Sequence, residues 1–110
     1  MRHKTLPQAR RHPPKLSQRA RMHLAAQVRK PVTSIPGTLV LYESPYRIQK
    51  LLGELTQIFP DGQVVLAREL TKRFEEFLRG TPSELIQQLQ ARSIKGEFVV
   101  LIAAEERTHQ

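Results

Sequence analysis

The sequence predicts an α/β fold, a small mixed sheet with elements in the order β-α-β-β-α-β, preceded by a basic arm that is largely irregular or helical. Three observations carry this. Short apolar runs of strand length recur at 39–42, 64–67 and 98–103. Helical periodicities stand between them, one starting near Ile48 and one near Leu85. Cations and prolines gather at the amino end: residues 1–37 hold nine Lys and Arg, five of the eight prolines and no Asp or Glu. Residues 38–110 hold nine cations against ten carboxylates, so the net charge of +8 describes the arm and not the fold.

Taken in order, regular structure is not expected before Pro14. Residues 15–29 can form a basic helix, with Leu16, Ala20, Leu24 and Val28 spaced by four, a stripe too thin to predict firm docking. Pro31 ends it. The boundary falls near Pro36-Gly37, giving an arm of residues 1–37 and a domain of residues 38–110. Residues 38–43 form the first strand. Ser44 is expected to cap the next helix, with Pro45 at its first position. Ile48, Leu51, Leu52, Leu55, Ile58 and Phe59 then share one face.

Pro60-Asp61-Gly62 is a turn, and residues 63–68 are the second strand. A short link leads to a third strand at 74–79, closed by Gly80. Thr81-Pro82-Ser83-Glu84 reads as a capping box with proline at the first helical position, and Leu85, Ile86 and Leu89 follow on the inward face. Lys95-Gly96 turns the chain into a last strand at 97–104. The first helix is expected to join its flanking strands as a right-handed parallel crossover. The short link makes the third strand an antiparallel or sharply turned neighbour. Continuously apolar strands imply a sheet covered on both faces. Only two helices follow the arm, so one face is expected to rest on a missing domain or a partner chain.

Several function classes are excluded. The chain has no cysteine, hence no disulfide and no cysteine-based zinc site. His3, His12, His23 and His109 lack metal-ligand spacing, and no metal is expected. No apolar run reaches membrane-spanning length, and the amino end lacks the apolar core of a secretory signal. Its Arg-rich, acid-free first thirty residues distantly resemble an organelle transit peptide, but a cytoplasmic location is the expectation. There is no glycine-rich phosphate loop, no Ser-His-Asp or Cys-His set and no aromatic ladder for stacked bases. Glu75 and Glu76 are adjacent on a strand, point to opposite faces and cannot act as a pair.

What remains is the carboxyl edge of the sheet. Tyr42-Glu43-Ser44-Pro45-Tyr46-Arg47 closes one strand, and Ala67-Arg68-Glu69-Leu70-Thr71-Lys72 closes the next. Strand-end, cap and first-turn roles account for Ser44 and Pro45. They do not account for Glu43 followed by an exposed Tyr and Arg. If the two strands run in the same direction, both loops open at one edge, where α/β sheets bind ligands. The basic arm favours RNA or another polyanion through counterion release, the alternative being a solvated arm without a partner.

These segments carry a resemblance. Residues 38–47, then 65–77, then Arg79-Gly80-Thr81 and Lys95-Gly96-Glu97-Phe98-Val99-Val100, are similar to the carboxyl-terminal half of the ribosomal RNA small subunit methyltransferase I family. That family lies within the tetrapyrrole-methylase-like superfamily of S-adenosylmethionine-dependent methyltransferases. The resemblance implies a two-domain enzyme with S-adenosylmethionine in the cleft between domains. The family methylates the ribose 2′-hydroxyl of a cytidine in small-subunit ribosomal RNA. It also implies that Tyr42, Glu43, Ser44, Arg68, Glu69, Leu70 and Thr71 face the cofactor. A ribose hydroxyl is a poor nucleophile and needs a base. Glu69 and Glu43 are the carboxylates at this edge, and either could serve. Arg10, Arg11, Arg19, Arg21, Arg47 and Lys72 are the cations expected to meet RNA.

Two departures stand out. Tyr46 occupies a position where the family usually has His, and the family's amino-terminal domain has no counterpart in these residues. The expected function is therefore a methyltransferase fragment inactive alone, partnered by ribosomal RNA and by a homodimer mate or a separately encoded amino-terminal half. Two other readings differ in kind. One is a non-catalytic RNA- or ribosome-binding module that uses the arm. The other is a remnant that does not fold stably.

Overall fold

The computed structural model describes residues 14–27, 33–69, 71, 73–92 and 95–105. Helix α1 (Gln18–Gln27) leads into strands β1 (Thr33–Ile35) and β2 (Thr38–Glu43), helix α2 (Ile48–Ile58), strands β3 (Val64–Glu69) and β4 (Glu75–Gly80), helix α3 (Pro82–Gln90) and strand β5 (Phe98–Ala103). After the arm, the order β-α-β-β-α-β is as the sequence indicates. The sheet is five-stranded, in the order β1-β2-β5-β3-β4.

Strand pairing departs from the expected crossover. Every neighbouring pair is antiparallel, and the parallel pairing is an isolated bridge between Leu16 and Ala104. β2 and β3 do run in the same direction, but β5 lies between them. The two βα units are thus split: β2-α2-β3 spans β5, and β4-α3-β5 spans β3. Sequence order alone does not reveal an inserted strand, since β5 begins at Phe98, well downstream of the unit it divides, which ends at Glu69.

β1 was not anticipated. Pro36-Gly37, read as a boundary, is instead a hairpin turn that pairs Ile35 with Thr38. Gly37 sits at φ 79°, the left-handed region that a Pro-Gly turn requires of its second residue.

Ser44 does not cap α2. Residues 45–47 form a turn, Arg47 holds the N-cap position without a side-chain bond, and the Ser44 carbonyl accepts from the Arg47 and Ile48 amides. The capping box of α3 is present: Thr81 Oγ1 accepts from the Glu84 amide, and Glu84 Oε1 accepts from the Thr81 amide.

One core forms. Leu39 and Leu41 of β2, Val64 and Leu66 of β3, Leu78 of β4 and Phe98, Val100 and Ile102 of β5 face it. Ile48, Leu51, Leu52 and Leu55 of α2 and Leu85 and Leu89 of α3 close it from above. The thin stripe of the arm docks after all: Leu16 and Leu24 are fully buried in this cluster. The Leu16 amide donates to the Ala103 carbonyl, and the Glu105 amide donates to the Leu16 carbonyl. Val28 lies outside the described residues.

The sheet's other face has no helix on it among the described residues. Tyr42, Val65, Ala67, Val99, Leu101 and Ala103 lie half-exposed there, and Phe77 is 54% exposed.

Candidate functional site

The co-directed carboxyl ends of β2 and β3 do open at one edge, with the start of β5 between them. Cross-strand register then sorts the candidate residues by face. Tyr42 pairs with Val99, Val99 with Ala67, and Ala67 with Phe77. At about 4.8 Å per strand this row spans about 14 Å across the open face. Two small or branched side chains form its floor, and an aromatic stands at each end. Beyond the row lie Glu69 and Glu75, paired across β3 and β4, and Glu97 just before β5. Together with Arg68 these residues line a groove of ≈ 450 Å³. That volume lies within the range of small-molecule sites.

The three carboxylates lie around the rim. They do not converge, and no group of three His, Asp or Glu among the described residues could hold a metal ion. An apolar floor with an anionic rim suits a planar ring carrying hydroxyls or positive charge. It does not suit a phosphate.

The next row lies on the core side: Glu43 pairs with Phe98, Phe98 with Arg68, and Arg68 with Glu76. Glu43 is 4% exposed. Its Oε1 accepts from the Ser44 amide at 3.1 Å and lies 3.7 Å from Arg47 Nε. These partners make the burial of a carboxylate tolerable and tie the 43–47 turn to the strand. Arg68, 7% exposed, donates to Glu76 Oε1 at 2.8 Å and to the Lys95 carbonyl at 3.3 Å, and its guanidinium lies over the Phe98 ring at 5.4 Å. Glu76 also pairs with Arg92. Glu75 and Glu76 therefore serve opposite faces, as strand alternation requires.

The predicted site residues are thus divided. Tyr42 and Glu69 face the groove, and Glu43 and the Arg68 guanidinium lie beneath the sheet. Ser44 is at the turn. Thr71 closes the β3–β4 loop, its hydroxyl accepting from the Arg73 and Phe74 amides at 3.1 and 3.2 Å. Leu70 and Lys72 lie outside the described residues, as do Arg10 and Arg11. Of the remaining cations, Arg19 is exposed and Arg47 is half-buried beside Glu43. Arg21 is 4% exposed and donates to the Glu105 carbonyl at 3.4 Å, which turns it away from solvent and from any phosphate. Tyr46, by contrast, is 94% exposed.

Ala67, Glu75, Phe77, Glu97 and Val99 were not anticipated as groove residues. Period-two alternation would have placed Ala67 with Glu69. Glu75 and Phe77 follow from the β3–β4 register, and Glu97 and Val99 become neighbours only once β5 is known to lie between β2 and β3.

Comparisons with known proteins give a likeness of sequence. The similarity is to ribosomal RNA small subunit methyltransferase I. The protein of that name from Streptococcus pyogenes serotype M3 is 46% identical over 71 residues, which cover 64% of this chain and 25% of that protein. The Bacillus subtilis (strain 168) protein is 40% identical over 65 residues, 59% of this chain and 22% of its own length. The Hydrogenobaculum sp. protein is 42% identical over 79 residues, 71% of this chain and 34% of its own length. The chain spans between about a fifth and a third of the length of these curated relatives. No protein family model matches it. Among the described residues, no helix is long and apolar enough to cross a membrane.

Proposed function

We propose that this chain supplies one wall of the cofactor cleft of an S-adenosylmethionine-dependent ribosomal RNA methyltransferase, and that it does not transfer methyl groups by itself. The acceptor in this reading is the ribose 2′-hydroxyl of a cytidine in small-subunit ribosomal RNA, and the setting is the cytoplasm. The observation that carries it is the groove where β2 and β3 end together, in a chain 40–46% identical to parts of proteins named ribosomal RNA small subunit methyltransferase I.

The residues present fit the cofactor. Val99 and Ala67 offer an apolar floor for a planar base, bounded by Tyr42 and Phe77. Glu69, Glu75 and Glu97 offer acceptors for sugar hydroxyls and negative charge toward a cationic ligand. The cofactor, when bound, supplies the activated methyl group. The chain's part is to orient it and to handle the proton of the acceptor. Glu69 is on the groove side and is the carboxylate suited to accept that proton. Glu43, held by Ser44 and Arg47, fixes the 43–47 turn. Of the cations expected to meet RNA, Arg19 and Arg47 are the two among the described residues that keep access to solvent and would steer it.

Calorimetric titration with S-adenosylmethionine tests this. The full chain is titrated alone and mixed with the part of the Streptococcus pyogenes protein that the chain does not match, supplied as a second polypeptide. Saturable binding in the mixture, with methyl transfer to small-subunit ribosomal RNA that is lost in Glu69→Gln, is expected. Transfer by the chain alone overturns the claim of inactivity, and no binding in either sample overturns the cleft.

A further inference from the structure

We infer that Arg68 is a positioning residue of the groove, acting from beneath the sheet on the 95–97 turn that forms part of its rim; the inference rests on the reading of the groove as a cofactor site. Two observations join here. The Arg68 guanidinium reaches across the core side and donates to the Lys95 carbonyl at 3.3 Å and to Glu76 Oε1 at 2.8 Å, while lying against the Phe98 ring. Directly above, Gly96 is pressed onto the end of β3. It adopts φ 77°, and a Cβ there would stand 2.9 Å from the Glu69 carbonyl oxygen and 4.0 Å from Arg68 Cγ.

The turn that carries Glu97 is therefore held at two points, Gly96 against the Glu69 backbone and the Lys95 carbonyl on the Arg68 guanidinium. The β3–β5 register brings Glu69 and Glu97 side by side, and the Arg68 contact to the Lys95 carbonyl adds a hold on the turn before Glu97. The guanidinium itself lies on the face away from the groove, so its effect on a ligand passes through the turn.

The chemistry of the site explains why arginine is needed. A planar guanidinium carries donors on separate nitrogens, so one reaches the Lys95 carbonyl and another Glu76 while the flat group lies over the Phe98 ring; an ammonium has all its donors on one nitrogen and no flat face to lay on the ring. Glu76 compensates its charge, and Glu76 is itself shared with Arg92. Burying this charge would be costly without those partners. A hydrophobic residue of similar size would fill the space but leave the Lys95 carbonyl without its donor. The device therefore supplies geometry to the turn more than stability to the domain.

Backbone NMR relaxation of the full chain tests this with Arg68→Lys. Glu76→Gln is a second variant that loosens the guanidinium without removing it. In the parent chain, Gly96 and Glu97 should show order parameters near the rigid value of about 0.85, falling below about 0.6 in Arg68→Lys, with Leu52 and Leu85 unchanged. Glu76→Gln should give a smaller fall at the same two residues. Unchanged order at Gly96 and Glu97 in both variants overturns the inference, and so does a uniform loss across the helices, which marks a general structural role. S-adenosylmethionine titration of the same samples, with the complementing polypeptide present, should show affinity reduced at least tenfold in Arg68→Lys, the size a misplaced binding group produces. If the parent chain takes up no cofactor while order at Gly96 and Glu97 still depends on Arg68, the cofactor reading fails and the hold on the turn stands.

Discussion

At the scale of the residue, two glycines should respond to the same substitution in opposite directions. Gly96 adopts φ 77° with a carbonyl oxygen in the path of a Cβ. Gly53 sits inside α2 with nothing within 4 Å of that position. Gly96→Ala is expected to cost about 1–3 kcal/mol through backbone strain and displacement of the 95–97 turn. Gly53→Ala is expected to stabilise by roughly 0.5–1 kcal/mol, because the unfolded chain loses freedom and the helix gains propensity. Urea denaturation of both variants measures this. Equal effects would show that the 95–97 turn is not under the constraint its geometry indicates. The same turn carries Glu97, so Gly96→Ala also links local strain to the groove rim.

At the scale of the element, β5 separates what was legible in the sequence from what was not. Its run Phe98-Val99-Val100-Leu101-Ile102-Ala103 is apolar without a break, and continuity implied burial on both faces. In the structure it alternates: Phe98, Val100 and Ile102 are fully buried, and Val99, Leu101 and Ala103 lie half-exposed on the open face. Ile102→Ala should therefore cost about 2–5 kcal/mol, the range for truncating a packed aliphatic side chain. Leu101→Gln should shift the melting midpoint far less and raise the solubility of the isolated chain. A large destabilisation by Leu101→Gln would mean that the open face is covered in solution. Strands β2 to β5, the two later helices and the capping box at Thr81 could be read from period and punctuation, because those signals are local. The position of β5 could not, because pairing is decided by packing between distant segments. The site shared this fate. Tyr42 and Glu69 were found from strand ends, but Phe77 and Val99 needed the register. The division of Glu43 from Glu69 needed each strand's phase relative to the core.

At the scale of the whole molecule, the arm is not a mere appendage to the domain. Leu16 and Leu24 contribute to the common core, and Arg21 is buried with them. Leu24→Ala is expected to cost about 2–5 kcal/mol, a large share of the stability of a chain this small. This changes how RNA binding by the arm must be tested. Deleting the arm would remove core residues along with the cations, so loss of binding would not separate charge from folding. Reversing exposed charges does separate them. Lys15 and Arg19 are both exposed on the docked segment. The double substitution Lys15→Glu and Arg19→Glu should leave the thermal midpoint within a degree or two, about the shift expected of surface changes. If the arm meets phosphates, it should weaken binding to single-stranded ribosomal RNA. The dependence of log K on log salt should also become shallower, by roughly 0.7 for each phosphate no longer neutralised. An unchanged salt slope in a fully folded double variant would show that these two cations meet no phosphate, and would leave the docked segment a purely structural part of the fold.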